Sequence, residues 1–208
     1  MPARKGRPRS AADRIGDSIL QLLSNLPDTN EGASLAPEVR SRAIAEAAAR
    51  KAALIAGTLA LPPGPLGWLT VLPELFAIWK IQAQMVADIA GAYGRHWQLT
   101  REQMLFCLFR HTAAQAFRDI AVRVGERWLV NAASTSTIRA ISRKIGVRLG
   151  ERGAVHGIAR WLPLVGAMGV GAYAWYDTRH VARTAINLFA IESAAGRAFD
   201  FDEGSLYD

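Results

Sequence analysis

Apolar residues recur along this chain at helical spacing, and the repeat predicts a succession of amphipathic helices in an all-α fold. From Ser10 to about Leu26, Ile15, Ile19, Leu22, Leu23 and Leu26 share one face. Residues 25–34 interrupt the pattern with Pro27, Asp28, Asn30 and Gly32, the composition of a loop. Pro37 suits the first turn of a second helix running to about Leu61, made small-faced by Ala43, Ala45, Ala47, Ala48, Ala49, Ala52 and Ala53. A third helix runs from about Leu69 to Tyr93, with Leu75, Ile78, Trp79, Met85, Val86, Ile89 and Tyr93 as its stripe. Pro73 falls in its first turns or bends it. Gln82 lies on that stripe, so it must be buried with a hydrogen-bond partner. Gly94 is placed to close the helix with a left-handed cap.

Thr100 and Gln103 match a capping box for a fourth helix, with Leu99 and Met104 as its staple. Phe106, Phe109, Ala113, Phe117, Ile120 and Val124 then recur at helical spacing. The helix breaks near Gly125 or continues to about Val130. After a polar break, Ser134 or Ser136 caps a fifth helix over about 137–161, with Ile138, Ile141, Ile145 and Leu149 as its seam. A last helix runs through Ala182, Ala185, Leu188 and Phe189 to about Ala194. The total is a bundle of about six helices.

Two stretches depart from this amphipathic rhythm. Residues 52–73 are twenty-two residues without a charge, broken in the middle by Pro62, Pro63, Gly64 and Pro65. No straight helix carries that sequence, so the longest apolar run predicts a hairpin corner. Trp161 to Tyr176 is sixteen uncharged residues with Pro163, Gly166, Gly169 and Gly171. It predicts a second corner, with Gly166 and Gly169 allowing another helix to approach closely. Gly67 and Trp68 close the first corner as Trp161 opens the second. Aromatic residues at the ends of apolar runs suit a membrane interface, and equally a large core that uses Trp for volume. No straight apolar run reaches the ~20 residues of a membrane span.

Charge sharpens this picture. The 208 residues carry a formal net charge of +7, which favours anionic partners such as lipid headgroups, nucleic acid or acidic protein surfaces. The N-terminal arm holds Arg4, Lys5, Arg7 and Arg9. Its Lys5-Gly6-Arg7-Pro8-Arg9 resembles the core of an AT-hook, an arm that lies in an A·T minor groove; the plainer reading is a solvated or lipid-attracted tail. Arg139, Arg143, Lys144 and Arg148 make the fifth helix basic and amphipathic, fit for an anionic membrane surface, an acidic partner or simple solvation. Arg50, Lys51 and Lys80 flank the first corner and would stay on the cytoplasmic side of a membrane. The acidic residues 196–208 either dock on the fifth helix or lie free.

Candidate chemistry is sparse. The single cysteine excludes an intrachain disulfide framework. Cys107 and His111 share a helix face at i and i+4, and His96 precedes that helix. These three are the weak candidates for a zinc site, and a buried inert thiol is the default for Cys107. There is no phosphate-binding loop, nucleophile elbow or zinc-protease helix, and Gly166 to Gly171 has no strand before it. No catalytic residue, metal or cofactor is assigned.

Following the first corner, Gln82-x-x-Met85-Val86-x-x-Ile89-Ala90-x-x-Tyr93-Gly94, and later Pro163-x-x-Gly166, Val181-Ala182, Ala185 and Phe189, resemble the EcsC family of bacterial helical proteins. The likeness covers roughly residues 40–192; a polar residue expected midway along the last family helix is replaced near Ala174. The resemblance implies association with the cytoplasmic face of the bacterial cytoplasmic membrane, through lipid and protein contacts, and a link to transport or secretion machinery. It implies no catalytic activity. The domain expectation is a basic arm over 1–10, one all-α domain over 11–195 and an acidic tail over 196–208. The competing reading is a soluble all-α cytoplasmic regulator whose arm binds DNA, and a mean hydropathy of +0.09 leaves room for it.

Overall fold

Six α-helices and one 3-10 turn make up the described part of the chain, with no strand among the described residues. The computed structural model describes residues 10–59, 67–111, 114, 117, 135–156 and 163–204, with 11, 59, 67–74, 135, 149–156, 163–167 and 196–204 described by backbone alone. The helices are α1 (Ala11–Ser24), α2 (Pro37–Leu59), α3 (Gly67–Ala92), α4 (Arg101–Phe109), α5 (Thr135–His156) and α6 (Pro163–Gly204); the turn is His96–Gln98.

Local signals explain most boundaries. The Ser10 hydroxyl accepts from the Asp13 amide and the Asp13 carboxylate accepts from the Ser10 amide, a reciprocal box that starts α1. Thr100 and Gln103 make the same exchange at α4. Gly94 adopts φ +68°, the left-handed conformation expected of the residue that stops α3. The loop before α2 is tied along α3: Thr29 Oγ1 donates to Asp88 Oδ1 at 2.6 Å, and the Ser34 amide donates to the Ala92 carbonyl at 2.9 Å. An added Cβ on Gly91 would stand 2.6 Å from the Glu31 carbonyl oxygen, so that close approach requires a glycine.

The largest core joins α1, α3, α4, α5 and α6 through Ile19, Leu23, Met85, Ile89, Met104, Leu105, Ile141, Ile145 and Phe189. A smaller one holds Ala52 and Ala56 of α2, Ile78 of α3 and Ala174 of α6. Helix α2 lies along α6 and α3. Helix α5 docks chiefly on α1. There Gly16 and Gly146 face the opposing backbone, and a Cβ on Gly146 would be 2.4 Å from the Ala12 carbonyl oxygen.

Three expectations are corrected. The run from Pro163 to Tyr176 is not a corner, because α6 begins at Pro163 and passes through Gly166, Gly169 and Gly171 without a break. Proline is tolerated at the first helical position, where its missing N–H would have had no partner, and glycine weakens a helix without ending it. Nor does Gly169 admit a neighbour: a Cβ there meets nothing within 4 Å, whereas one on Gly171 would be 3.0 Å from the Ala53 carbonyl oxygen. Helix α6 also outlasts its expected end near Ala194 and carries the acidic stretch in helical form to Gly204. Helix α4 gives way to a turn at Arg110 and His111, although Ala114 and Phe117 are again helical. Pro62, Pro63, Gly64, Pro65 and Trp161, the arm with Arg4, Lys5, Arg7 and Arg9, and the stretch containing Gly125 lie outside the described residues.

Candidate functional site

Helix register brings the two uncharged runs to one end of the bundle. Arg179 Nη1 contacts Glu46 Oε2 at 3.3 Å, and Gly171 abuts Ala53 and Gly57, so α2 and α6 run antiparallel. Gln82 meets Asp177 and Thr178, with Ile78 beside Ala174, so α3 and α6 run parallel. The end of α2 at Leu59, the start of α3 at Gly67 and the start of α6 at Pro163 therefore share one pole. Residues 52–59, 67–73 and 163–176 of these helices carry no charge; Glu74 is the exception on α3. Leu54 and Met168 are 70% and 75% exposed on this pole, and Tyr176 is exposed near its lower edge. Among the described residues no helix is long and apolar enough to cross a membrane.

Just below the pole lies a polar cluster inside the bundle. Gln82, 1% exposed, donates through Nε2 to Asp177 Oδ2 at 2.8 Å and to Thr178 Oγ1 at 3.2 Å. The expectation that Gln82 is buried with a partner is met. The other Asp177 oxygen lies 2.5 Å from His111 Nε2, so that nitrogen is the donor. His111 Nδ1 and His180 Nε2 are both buried without a hydrogen-bond partner, in rings whose centroids are 5.9 Å apart. The edge of Tyr176 closes on His180 at 4.4 Å. A carboxylate that orients an imidazole is a proton-handling arrangement.

Cys107 is fully buried, and that burial pushes its thiol far above the usual range, which keeps it an inert thiol. His111 turns to Asp177, and His96 lies 3.9 Å from Asp28. Cys107, His111 and His96 therefore do not converge, and no group of three His, Cys, Asp or Glu fit for a metal occurs among the described residues. Spacing alone had paired Cys107 with His111; the turn at Arg110 and the pull of Asp177 separate them. Asp177 escaped notice in the sequence. The available signal was Gln82, whose burial demands a partner, and Asp177 is the first charged residue after the uncharged run. Ala174, where a polar residue was sought, is buried in the small apolar core one turn earlier.

The motif residues Met85 and Ile89 are buried, Tyr93 is half-buried and Gly94 caps α3. On α5, Arg139 and Arg143 line a shallow cleft against α1 together with Asp13, Gly16, Asp17 and Leu20. Lys144 is exposed and Arg148 half-exposed. No protein-family model, curated protein or solved structure matches the chain.

Proposed function

We propose that this is a non-catalytic, membrane-associated helical protein that acts through lipid and protein contacts, in the manner of the EcsC family its motifs resemble. The observation that carries the reading is the shared pole: the ends of α2, α3 and α6 bring uncharged segments together and expose Leu54 and Met168. A pole that is uncharged along α2 and α6 and still exposes Leu54 and Met168 suits a covering phase, and a bilayer supplies one. The reading puts the protein on the cytoplasmic face of a bacterial membrane, near transport or secretion machinery, with the helical surfaces left outside the lipid available to a protein partner.

Flotation tests it. Full-length protein is mixed with vesicles containing phosphatidylglycerol and spun through a density gradient. It is expected to float with the lipid, and Leu54→Asp with Met168→Asp is expected to leave it at the bottom while its circular dichroism is unchanged. Wild-type protein that stays at the bottom would overturn the proposal. A gel shift of A·T-rich duplex that is lost on Arg7→Ala would then favour the regulator reading.

A further inference from the structure

The uncharged stretches of α2 and α6 stop at one level, and Lys80 of α3 lies at that level although Glu74 stands about 9 Å nearer the pole. Ala52 and Ala56, Ile78 and Ala174 meet in the small apolar core, which fixes that level on all three helices. Lys51 precedes Ala52, Lys80 follows Ile78 within a turn, and Arg179 lies little more than a turn beyond Ala174. With Arg50 they form a belt of four cations around the bundle just below the pole. Lys51 and Lys80 are exposed, and the side chains of Arg50 and Arg179 are 72% and 41% exposed. Glu46 contacts both arginines, at 3.2 Å and 3.3 Å, and so holds the guanidinium groups of α2 and α6 at this height. Asp177 turns inward to Gln82 and His111, so Glu46 is the carboxylate that pairs with belt cations, and Lys51 and Lys80 carry the belt's exposed charge.

We infer that this belt binds the headgroups of anionic phospholipids and sets how deeply the pole enters the membrane. The inference rests on the membrane reading above and adds a lipid class, a depth and the residues that set both. Two belt cations back onto aromatic rings that lie one turn nearer the pole. Lys80 Nζ stands 4.9 Å from the Phe76 ring centre, and Arg179 Cζ stands 4.7 Å from that of Trp175. These cation–π contacts hold the two charges at the edge of the uncharged zone, where aromatic rings and long cations meet at a bilayer surface. At 1.5 Å per residue, Ala52 to Leu59 climbs about 12 Å above the belt and Gly67 to Lys80 about 20 Å. From Arg179 to Pro163 α6 climbs about 24 Å, so against the ~15 Å of half a ~30 Å hydrocarbon core α2 stays within one leaflet and α3 and α6 do so only when tilted. Trp97, beyond the far end of α3, stays in water with α1.

The test uses full-length protein carrying either Leu54→Cys or Val39→Cys, two exposed positions on α2, one in the pole and one toward the other end. Native Cys107 is buried, so a thiol-directed, environment-sensitive dye goes to the introduced cysteine. Vesicles contain phosphatidylcholine alone or with phosphatidylglycerol. The Leu54 dye is expected to be quenched by lipid-borne quenchers on binding, and the Val39 dye is not; equal quenching at both positions would overturn the proposed depth. Lys51→Gln with Lys80→Gln is expected to weaken partition onto the anionic vesicles by about thirtyfold, since each surface cation contributes roughly fivefold. Both residues are exposed, so the fold tolerates the change, and the N-terminal arm is common to both proteins. Equal partition onto the two vesicle types, or no effect of the double substitution, overturns the belt and leaves the membrane reading standing. Failure to bind either vesicle overturns both.

Discussion

Replacing Gly146 with alanine sets two effects of opposite sign against each other. Gly146 lies within α5, where alanine in place of an unconstrained glycine would stabilise the helix by about 1 kcal/mol. Its Cβ, however, would stand 2.4 Å from the Ala12 carbonyl oxygen and 3.1 Å from the Gly16 amide nitrogen. Both are main-chain atoms, so no side-chain rotation relieves the contact. A carbon and an oxygen tolerate about 3.3 Å, so α1 must retreat by roughly 1 Å. That retreat loosens Ile15 and Ile19 of α1 and Ile138, Ile141 and Ile145 of α5, all buried in the main core. A radial gap near 1 Å forfeits up to about half of each contact's attraction, and overpacking typically costs about 1–3 kcal/mol. Gly146→Ala is therefore expected to destabilise by up to about 2 kcal/mol net of the propensity gain. Gly169→Ala is the matched control, because a Cβ there meets nothing within 4 Å; it is expected to stabilise by about 0.5–1 kcal/mol. Urea denaturation measures both, and hydrogen exchange should find the lost protection in α1 and α5 rather than in α3 or the middle of α6. If Gly146→Ala stabilises the protein as Gly169→Ala does, the close crossing of α1 and α5 is wrong.

Two further substitutions probe the polar interior. Gln82→Leu removes the donor to Asp177 Oδ2 and Thr178 Oγ1 and is expected to cost about 1–3 kcal/mol in urea denaturation; a change inside about 0.5 kcal/mol would mean those bonds carry little. Glu192 has its carboxyl raised above the ordinary range by burial, partly opposed by the hydrogen bond from Gln103 and the charge of Arg95. With the folded value raised, the folded protein holds a proton that the unfolded chain has already released, so this group's contribution declines as pH rises through the interval above the ordinary glutamate value. Glu192→Gln is accordingly expected to raise the denaturation midpoint at neutral pH and to change it little in acid below that interval. The same gain at both pH values would rule out the carboxylate as its cause.

Features governed by a few neighbouring residues were legible without the structure. Gly94, the Thr100–Gln103 box and the start of α2 at Pro37 all depend on contacts within one turn. Gln82 was legible because a lone amide on an apolar stripe has few alternatives to a buried partner. The second corner was misread because Pro163 and the glycines after it are breakers by composition, while a proline at the first helical position breaks nothing. Gly169 and Gly171 are indistinguishable in sequence; only the path of α2 decides which of them meets a backbone. The same holds for Gly146, whose need for a small residue is set by the crossing of α1, and for the turn of His111 toward Asp177 across sixty-six positions.

The strongest argument for reading the pole as a surface for lipid rather than as ordinary packing lies in two boundaries that coincide, on α2 and α6. A protein core needs apolar residues only on the faces that meet; it places no demand on the outward faces of its helices. On α2, charges cease after Lys51 on every face, exposed positions included, and Leu54 is exposed where solvent would favour a polar residue. On α6 they are absent from every face between Pro163 and Tyr176, and Met168 is exposed there too. On α3 the first seven residues are uncharged, and Glu74 is the one charge before Lys80. Packing explains Ala52, Ala56, Ile78 and Ala174, which touch. It does not explain why outward positions on α2 and α6 lose their charges at the same height, and a planar boundary between water and hydrocarbon does.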